Sequence, residues 1–337
     1  MLESLHNHTT HSDGLLSHKE LFTLAESLGF CVLAFTDHDA VPNDEALQFL
    51  DSVRSSRTKW VIGIEVTARL PEDLGGTATG DFHILGLFVD PKNSALLEHC
   101  RKAQIARRER MEQMVGNLKD LGFRITEEDC LRMSGGDSVG RPHIVRALEE
   151  YPENAAVMEK LRQDMAKVGE TNSEVAKKYA LMMEGGLRQY PYALFLSKDA
   201  FRSAYVEHSY IPNMDEAVTL IRGAGGVASI AHYHSVAKKI PLEKIREFLA
   251  ARRLDAMEVI YGAGLLDTAE RGMILDQRQA LRDLIAETHT LATGGADAHR
   301  AEDLTWYAEH KDFSAEANGL TTKLLDSGKV DRRFSSL

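Results

Sequence analysis

The side chains in this chain that can do chemistry are imidazoles and carboxylates, and they recur where apolar runs stop. Near the start, Leu5-His6-Asn7-His8-Thr9 reads as a strand. Alternate strand residues share a face, so His6 and His8 point the same way across a gap that suits one divalent ion. Asp13 adds a carboxylate where Ser12-Asp13-Gly14 breaks the strand into a loop. A surface strand can carry two histidines by chance, so this stretch alone settles nothing. The same residue types return at His38 after the run Cys31–Phe35, at Glu65 after Trp60–Ile64 and at His83 near the start of Phe82–Val89. They return again at His232 after Val227–Ala231, and at Asp297 and His299 after Thr290–Thr293. A purely structural protein has no need of a metal-binding residue type at almost every such place. Imidazole and carboxylate without thiolate suit Mn, Fe or Zn better than a soft copper site.

The elements that must position these residues alternate between strand and helix. Ser17-His18-Lys19-Glu20 has the form of a capping box, Leu21, Leu24, Ala25 and Leu28 follow at helical spacing, and Gly29 ends the helix. Cys31–Phe35 is continuously apolar, as a parallel strand buried on both faces should be. A helix from about Asn43 to Val53 leads to the strand that stops at Glu65, and a connection through Gly75, Gly76 and Gly80 leads to the His83 strand. From Ala95 to Ile211 only helical patterns appear: a long helix to Leu121, then pieces over 140–150, 157–167 and 173–183. The arginines on the long helix read as a solvated face. Asn213-Met214-Asp215-Glu216 caps the next helix, after which the strands Val227–Ala231, Ala256–Tyr261 and Thr290–Thr293 resume, with a helix near Leu265 to Glu287 before the last. The pattern predicts an α/β barrel whose strand ends converge on one face. Residues 1–94 form its first part, 95–211 a helical insertion or cap, and 212–337 its second part.

A chain of 337 residues, 43% hydrophobic and 27% charged, can fill one large core, or one core and an inserted subdomain. Its net charge of −11 argues against general affinity for nucleic-acid backbone or anionic membrane. Cys31, Cys100 and Cys130 have no ligand-like spacing and read as reduced thiols of a cytoplasmic protein. Neither a signal peptide nor an apolar run of bilayer length is evident, so a soluble protein is expected.

Together His6-Asn7-His8, Ser12-Asp13-Gly14, Thr36-Asp37-His38-Asp39, Gly63-Ile64-Glu65, His83-Ile84-Leu85-Gly86, Ala231-His232 and Asp297-Ala298-His299 resemble the PHP family, named after polymerase and histidinol phosphatase. The motifs stand in family order over roughly residues 1–95 and 212–300. The resemblance implies a distorted (β/α)7 barrel, two to three divalent ions (manganese, iron or zinc) and hydrolysis of phosphate esters. By motif, His6, His8, Glu65 and Asp297 would hold one ion, Glu65, His83 and His232 a second, and Asp13, His38 and His299 a third, with Glu65 bridging. Asp13 and His38 would then act in catalysis as well, and His232 would lie against the substrate. The insertion, with Gly140-Arg141-Pro142-His143, looks like the branch that contains nucleotide 3′,5′-bisphosphate phosphatases and a related 5′-to-3′ RNA exonuclease. Three departures bear on substrate: Tyr233-His234 follow the strand-end histidine where that branch usually has Pro, the last motif reads Ala296-Asp297-Ala298-His299 rather than Ser-Asp-Phe-His, and Thr171–Leu196 adds length. None of them removes a ligand.

Ions of this kind can share a water and lower its pKa, supplying hydroxide for in-line attack on phosphorus. A cation for the phosphoryl oxygens and an acid for the leaving group would complete the site. Arg141 and His143 are the candidates, since Gly140 can open a turn and Pro142 suits a first helical turn, whose N-terminus attracts anions. The expected substrate is a phosphomonoester or terminal phosphodiester of a small nucleotide or oligonucleotide, with no stable binding of long nucleic acid and no membrane. The alternatives are a phosphatase of the histidinol-phosphate type and a non-catalytic metal-binding module. Amidohydrolase chemistry on C–N bonds usually calls for a bridging lysine, and no lysine stands at a strand end here.

Overall fold

Short apolar runs become strands and capped amphipathic runs become helices in the computed structural model, which describes residues 2–71, 74, 82–135, 138–237, 239–262 and 268–337. The first part holds β1 (Leu2–Ser4), α1 (His18–Ser27), β2 (Phe30–Phe35), α2 (Asp44–Ser52), β3 (Lys59–Ala68) and β4 (Phe82–Leu87). Helices α3 (Ser94–Asp120), α4 (Glu127–Ser134), α5 (Arg141–Glu149), α6 (Asn154–Gly169) and α7 (Ser173–Gly185) follow. The chain then returns through α8 (Met214–Gly223), β5 (Val227–Ile230), α9 (Tyr233–Val236), α10 (Leu242–Ala250), β6 (Ala256–Tyr261), α11 (Thr268–Thr288) and β7 (Leu291–Gly295), and ends in α12 (Ala301–Glu309), α13 (Lys311–Ser314) and α14 (Leu320–Asp326). The capping boxes at Ser17 and Asn213 form with Glu20 and Glu216, and Gly29 leaves α1 with φ +82°. The Gly75, Gly76 and Gly80 connection, and the expected helix start at Leu265, lie outside the described residues.

The seven strands lie side by side in sequence order. Three expectations need correction. β1 ends at Ser4, so His6 and His8 stand just past the strand, where Asn7 makes a single bridge to Ala298. β1, β2 and the start of β3 are parallel, as are β5, β6 and β7, but β4 runs antiparallel to both of its neighbours. Antiparallel neighbours need no helical crossover, and the reversal brings the beginning of β4 to the rim where its neighbours' parallel partners end. His83 therefore reaches the same rim from the start of its strand, paired with Thr67 and close to Ala231, whose N–H donates to the His83 carbonyl at 3.1 Å. In addition, β3 does not stop at Glu65. It pairs with β2 up to Ile62 and then continues against β4 from Gly63 to Ala68, so Glu65 sits within a ladder, opposite Leu85.

The chain just beyond β1 meets the end of β7, with Leu5 N–H on Gly294 O (3.0 Å), Asp297 N–H on His6 O (2.9 Å) and His8 N–H on Ala298 O (2.8 Å). Glycine is required at 295 for that approach, because a Cβ there would lie 2.4 Å from the His6 nitrogen. The buried Glu3 carboxylate accepts the N–H groups of Gly319 (2.8 Å) and Thr321 (2.9 Å), which ties β1 to the start of α14.

The chain divides into two units, Met1–Ala103 with Tyr210–Leu337, and Gln104–Ser209. Each has its own apolar core. In the first, Leu33, Phe35, Ile64, Leu87, Ile230 and Met257 are fully buried, and in the second Val115, Leu118, Cys130, Met165 and Phe195 are. Among the described residues no helix is long and apolar enough to cross a membrane.

His18, at the start of α1, is buried against the Phe35 ring, with centroids 4.9 Å apart. Burial pushes its pKa down to about 4, Asp37 opposing and His11 assisting. An unfolded histidine titrates near 6.5, so the folded chain binds fewer protons than the unfolded one between the two values. This residue's contribution is thus complete above about pH 6.5 and is lost as pH falls toward 4, by at most about 1.4 kcal/mol per pH unit. His18→Gln should accordingly show a shallower fall in Tm than the parent between pH 7 and pH 5. Parallel Tm curves for the two proteins would refute this.

Candidate metal centre

The tetrapeptide after β2 organises the rim. Thr36 Oγ1 accepts the Asn7 N–H at 2.9 Å, and the Asp37 carboxylate accepts the Thr9 N–H, the Thr9 hydroxyl and the Ser12 hydroxyl, each at 2.7 Å. These bonds fix the loop that carries His8 and Asp13. The Glu65 N–H donates to Asp37 O (3.0 Å) and the Asp39 N–H to Glu65 O (2.9 Å), so His38 is held beside Glu65 by backbone on both sides. Backbone strain gathers here too: Asp39, His232 and Asp297 have φ of 49°, 27° and 49°. Left-handed conformation costs a non-glycine residue roughly 1 kcal/mol or more, and it persists where the surroundings over-determine it.

All nine of the strand-end residues are brought together. His6 Nε2 and His8 Nε2 stand 3.2 Å apart, and each lies 3.2–3.4 Å from Glu65 Oε2 and Asp297 Oδ1. Ligand atoms about 2.0–2.1 Å from one centre stand about 3.3–3.4 Å apart at tetrahedral corners. His6, His8 and Asp297 are therefore spaced to share one ion, with Glu65 Oε2 at similar distances from both imidazoles. The other Glu65 oxygen, Oε1, lies 3.0 Å from His83 Nδ1 and 3.0 Å from His232 Nε2, which are themselves 3.2 Å apart. A third group is looser: Asp13 Oδ1 lies 3.4 Å from His299 Nε2 and 3.7 Å from His8 Nδ1, and Asp13 Oδ2 lies 4.0 Å from His38 Nε2. His38 turns its other nitrogen, Nδ1, to Glu65 Oε2 at 3.1 Å.

The charges suit a cation. Burial opposes ionisation of Glu65 and Asp13, yet the surrounding imidazoles hold both carboxyls well below their usual range, and Asp297 is lowered likewise. Burial also opposes charge on His6 and His8, but the facing carboxylates win, raising His6 well above its ordinary value and His8 to about 10. His38, where burial prevails, falls to about 3 and is neutral. Asp13 Oδ1, His38 Nδ1 and Glu65 Oε2 are buried without a hydrogen-bond partner. Buried lone pairs left this way are costly, and divalent ions held by these groups would satisfy them. The donor set thus fits Mn, Fe or Zn.

Glu258, in the middle of β6, belongs to the centre although its place in the sequence did not suggest it. It is 1% exposed, reaches His6 Nδ1 at 3.2 and 3.3 Å, and accepts the His232 backbone N–H at 2.7 Å. A carboxylate behind a ligating imidazole fixes the tautomer that leaves the other nitrogen free for metal. The signal available was a lone charge inside an otherwise apolar strand. Arg141 and His143 lie in the second unit. Arg141 opens α5 with its guanidinium 5.6 Å from the Tyr192 ring centroid, while His143 is fully buried and its Nδ1 accepts the Gly140 N–H at 2.8 Å. Glu258→Gln should leave the fold intact and weaken Zn2+ binding by about 10- to 100-fold in a chelator-competition titration. Unaltered affinity would remove Glu258 from the centre.

Residues 4–162 match the family model described as the PHP domain. The chain is 25% identical over 303 residues to the 5'-3' exoribonuclease Rnm of Salmonella typhimurium, covering 89% of this chain and 86% of that protein. It is 26% identical over 304 residues to the 3',5'-nucleoside bisphosphate phosphatase of Chromobacterium violaceum, covering 89% and 91%. A solved structure of a candidate metal-dependent phosphoesterase from Bifidobacterium adolescentis superposes with a TM-score of 0.66 at 23% identity, covering 96% of this chain and 95% of that one, and shares the fold. Residues 4–162 match the PHP domain, and over most of its length the chain is similar to proteins named as a nucleoside bisphosphate phosphatase and a 5'-3' exoribonuclease.

Proposed function

We propose that this protein is a metal-dependent phosphoesterase that hydrolyses a phosphomonoester or terminal phosphodiester of a small nucleotide or oligonucleotide. The observation that carries the reading is the convergence of nine ligand-type side chains on one rim, three of them with buried atoms that lack a hydrogen-bond partner. The relatives supply the substrate class. We assign His6, His8, Glu65 and Asp297 to one ion, Glu65, His83 and His232 to a second, and Asp13, His38 and His299 to a third, with Mn, Fe or Zn as the ions. Bound there, such ions supply Lewis acidity toward the phosphoryl oxygens and a water of lowered pKa. Glu65 would offer one oxygen to each of two ions, Asp13 and His38 would serve the reacting phosphate, and His232 would lie beside it. In the second unit, Arg141 is assigned to a substrate phosphate, and His143, through Gly140, fixes the turn that carries it. The acidic net charge of −11 supports a short substrate over long nucleic acid. Three free cysteines accord with a cytoplasmic setting.

A hydrolysis screen with added Mn2+, covering nucleoside 3′,5′-bisphosphates, 5′-phosphorylated short RNAs and histidinol phosphate, tests the reading. Turnover of histidinol phosphate alone would move the assignment away from nucleotides. Protein never exposed to chelator should hold at least two divalent ions per chain by elemental analysis. Asp297→Asn and His38→Ala should each hold less metal, keep their fold by circular dichroism, and lose at least about a hundredfold in kcat/KM, as expected when several kcal/mol of charge stabilisation goes. Insoluble protein in both would show the cluster to be structural.

Arg141→Ala should cost about 1–3 kcal/mol in kcat/KM on the best substrate, the range for a lost charge-assisted contact, with metal content unchanged. Unchanged kinetics would withdraw the assignment of Arg141.

A further inference from the structure

Asp39 directly follows His38, yet it points away from the metal-ligand set. Its carboxylate is 2% exposed, and Oδ1 accepts the Thr67 N–H at 2.9 Å and lies 3.2 Å from His99 Nε2. His99, itself 2% exposed on the second turn of α3, places Nδ1 3.1 Å from the Tyr210 hydroxyl. The direction of this chain follows from its ends. A carboxylate can only accept, so His99 Nε2 carries the proton and Nδ1 accepts from the phenol. Burial, with Asp39 nearby, raises the Tyr210 pKa and keeps that donor protonated. One tautomer satisfies both of these partners of His99.

The position of the three residues gives the chain a meaning. Asp39 holds a left-handed backbone, φ 49°, and its own N–H donates to the carbonyl of Glu65. The His38–Asp39 peptide is thus fixed by Glu65 on one side and by His99 on the other, and its orientation sets where the His38 imidazole points. His99 and Tyr210 stand at the two roots of the second unit, His99 shortly before Gln104 and Tyr210 immediately after Ser209. We propose that Asp39, His99 and Tyr210 form a positioning chain that holds His38 in its ligating orientation and makes the geometry of the metal centre depend on both roots of the segment 104–209. None of the three touches the reacting atoms. The proposal rests on the metal-centre reading but not on any substrate.

The test uses the full-length protein and Zn2+ with a competing chelator, no substrate present. His99→Phe, which keeps the bulk and deletes both hydrogen bonds, should weaken the most weakly held ion by about 10- to 100-fold. His99→Gln, whose amide nitrogen can still donate to Asp39, should recover most of that loss. Tyr210→Phe, which removes a single hydroxyl, should fall between His99→Gln and the parent. On a hydrolysed substrate, His99→Phe should raise the Zn2+ concentration needed for half-maximal activity, a shift that loss of folded protein alone does not produce. Parental Zn2+ affinity in His99→Phe overturns the proposal, as does failure of His99→Gln to recover affinity lost in a folded His99→Phe. Should His99→Phe not fold, Tyr210→Phe decides, and parental affinity there overturns it. A parent that binds Zn2+ normally but hydrolyses nothing would instead sink the phosphoesterase reading and leave this one standing.

Discussion

One buried carboxylate sets the terms for the rest of the molecule. Glu65 is 1% exposed and lies within 3.4 Å of five imidazoles: His6, His8 and His38 on one oxygen, His83 and His232 on the other. An ionised carboxylate in so dry a place needs countercharge and donors on every side, and those groups come from four separate strand ends. The sheet is arranged to deliver them. β3 must run on past the rim so that Glu65 sits in its midst, β4 must reverse so that its first residues arrive there, and β7 must come close enough to His6 that only glycine fits at 295.

Much of this was legible in the chain. The pair His6/His8 beside an apolar run announces ligands that face one way, although it lies just past β1 rather than on it, and the capping boxes at Ser17 and Asn213 mark helix starts accurately. Strand direction was not legible, because an apolar run reads alike in either sense, and only the odd location of His83 at the beginning of its run hinted at the reversal. The extent of β3 was not legible, because a charge after an apolar run is an ordinary sign of a strand end, whereas the interior here accepts one that is surrounded by partners. Glu258 escaped notice for a related reason: a carboxylate in a strand reads as its solvated face until His6 and the His232 N–H are seen behind it. Which ligands share an ion came from family resemblance, since no spacing relates residues so distant in sequence.

The segment Thr36-Asp37-His38-Asp39 shows how densely such a rim is used. Thr36 holds the backbone of Asn7, Asp37 the Thr9–Ser12 loop, His38 faces the carboxylates, and Asp39 reaches Thr67 and His99. Four consecutive residues thus address four different parts of the fold. Substituting Thr36 or Asp37 would loosen the backbone that carries His6, His8 and Asp13, which makes this stretch far less tolerant than its lack of regular structure suggests.

The bonds between the chain's early and late portions have a consequence for how the protein is made. Leu5 pairs with Gly294, His6 and His8 with the backbone of Asp297 and Ala298, and Glu3 with Gly319 and Thr321. During synthesis the first histidines leave the ribosome long before the carboxylate and strand that complete their surroundings. Until then the nascent barrel has an open seam, and its early ligands are exposed to whatever ions the cell offers. The set His6, His8, Glu65 and Asp297 is therefore complete only once most of the chain has been made, and an ion held by it would join the early portion to the late one.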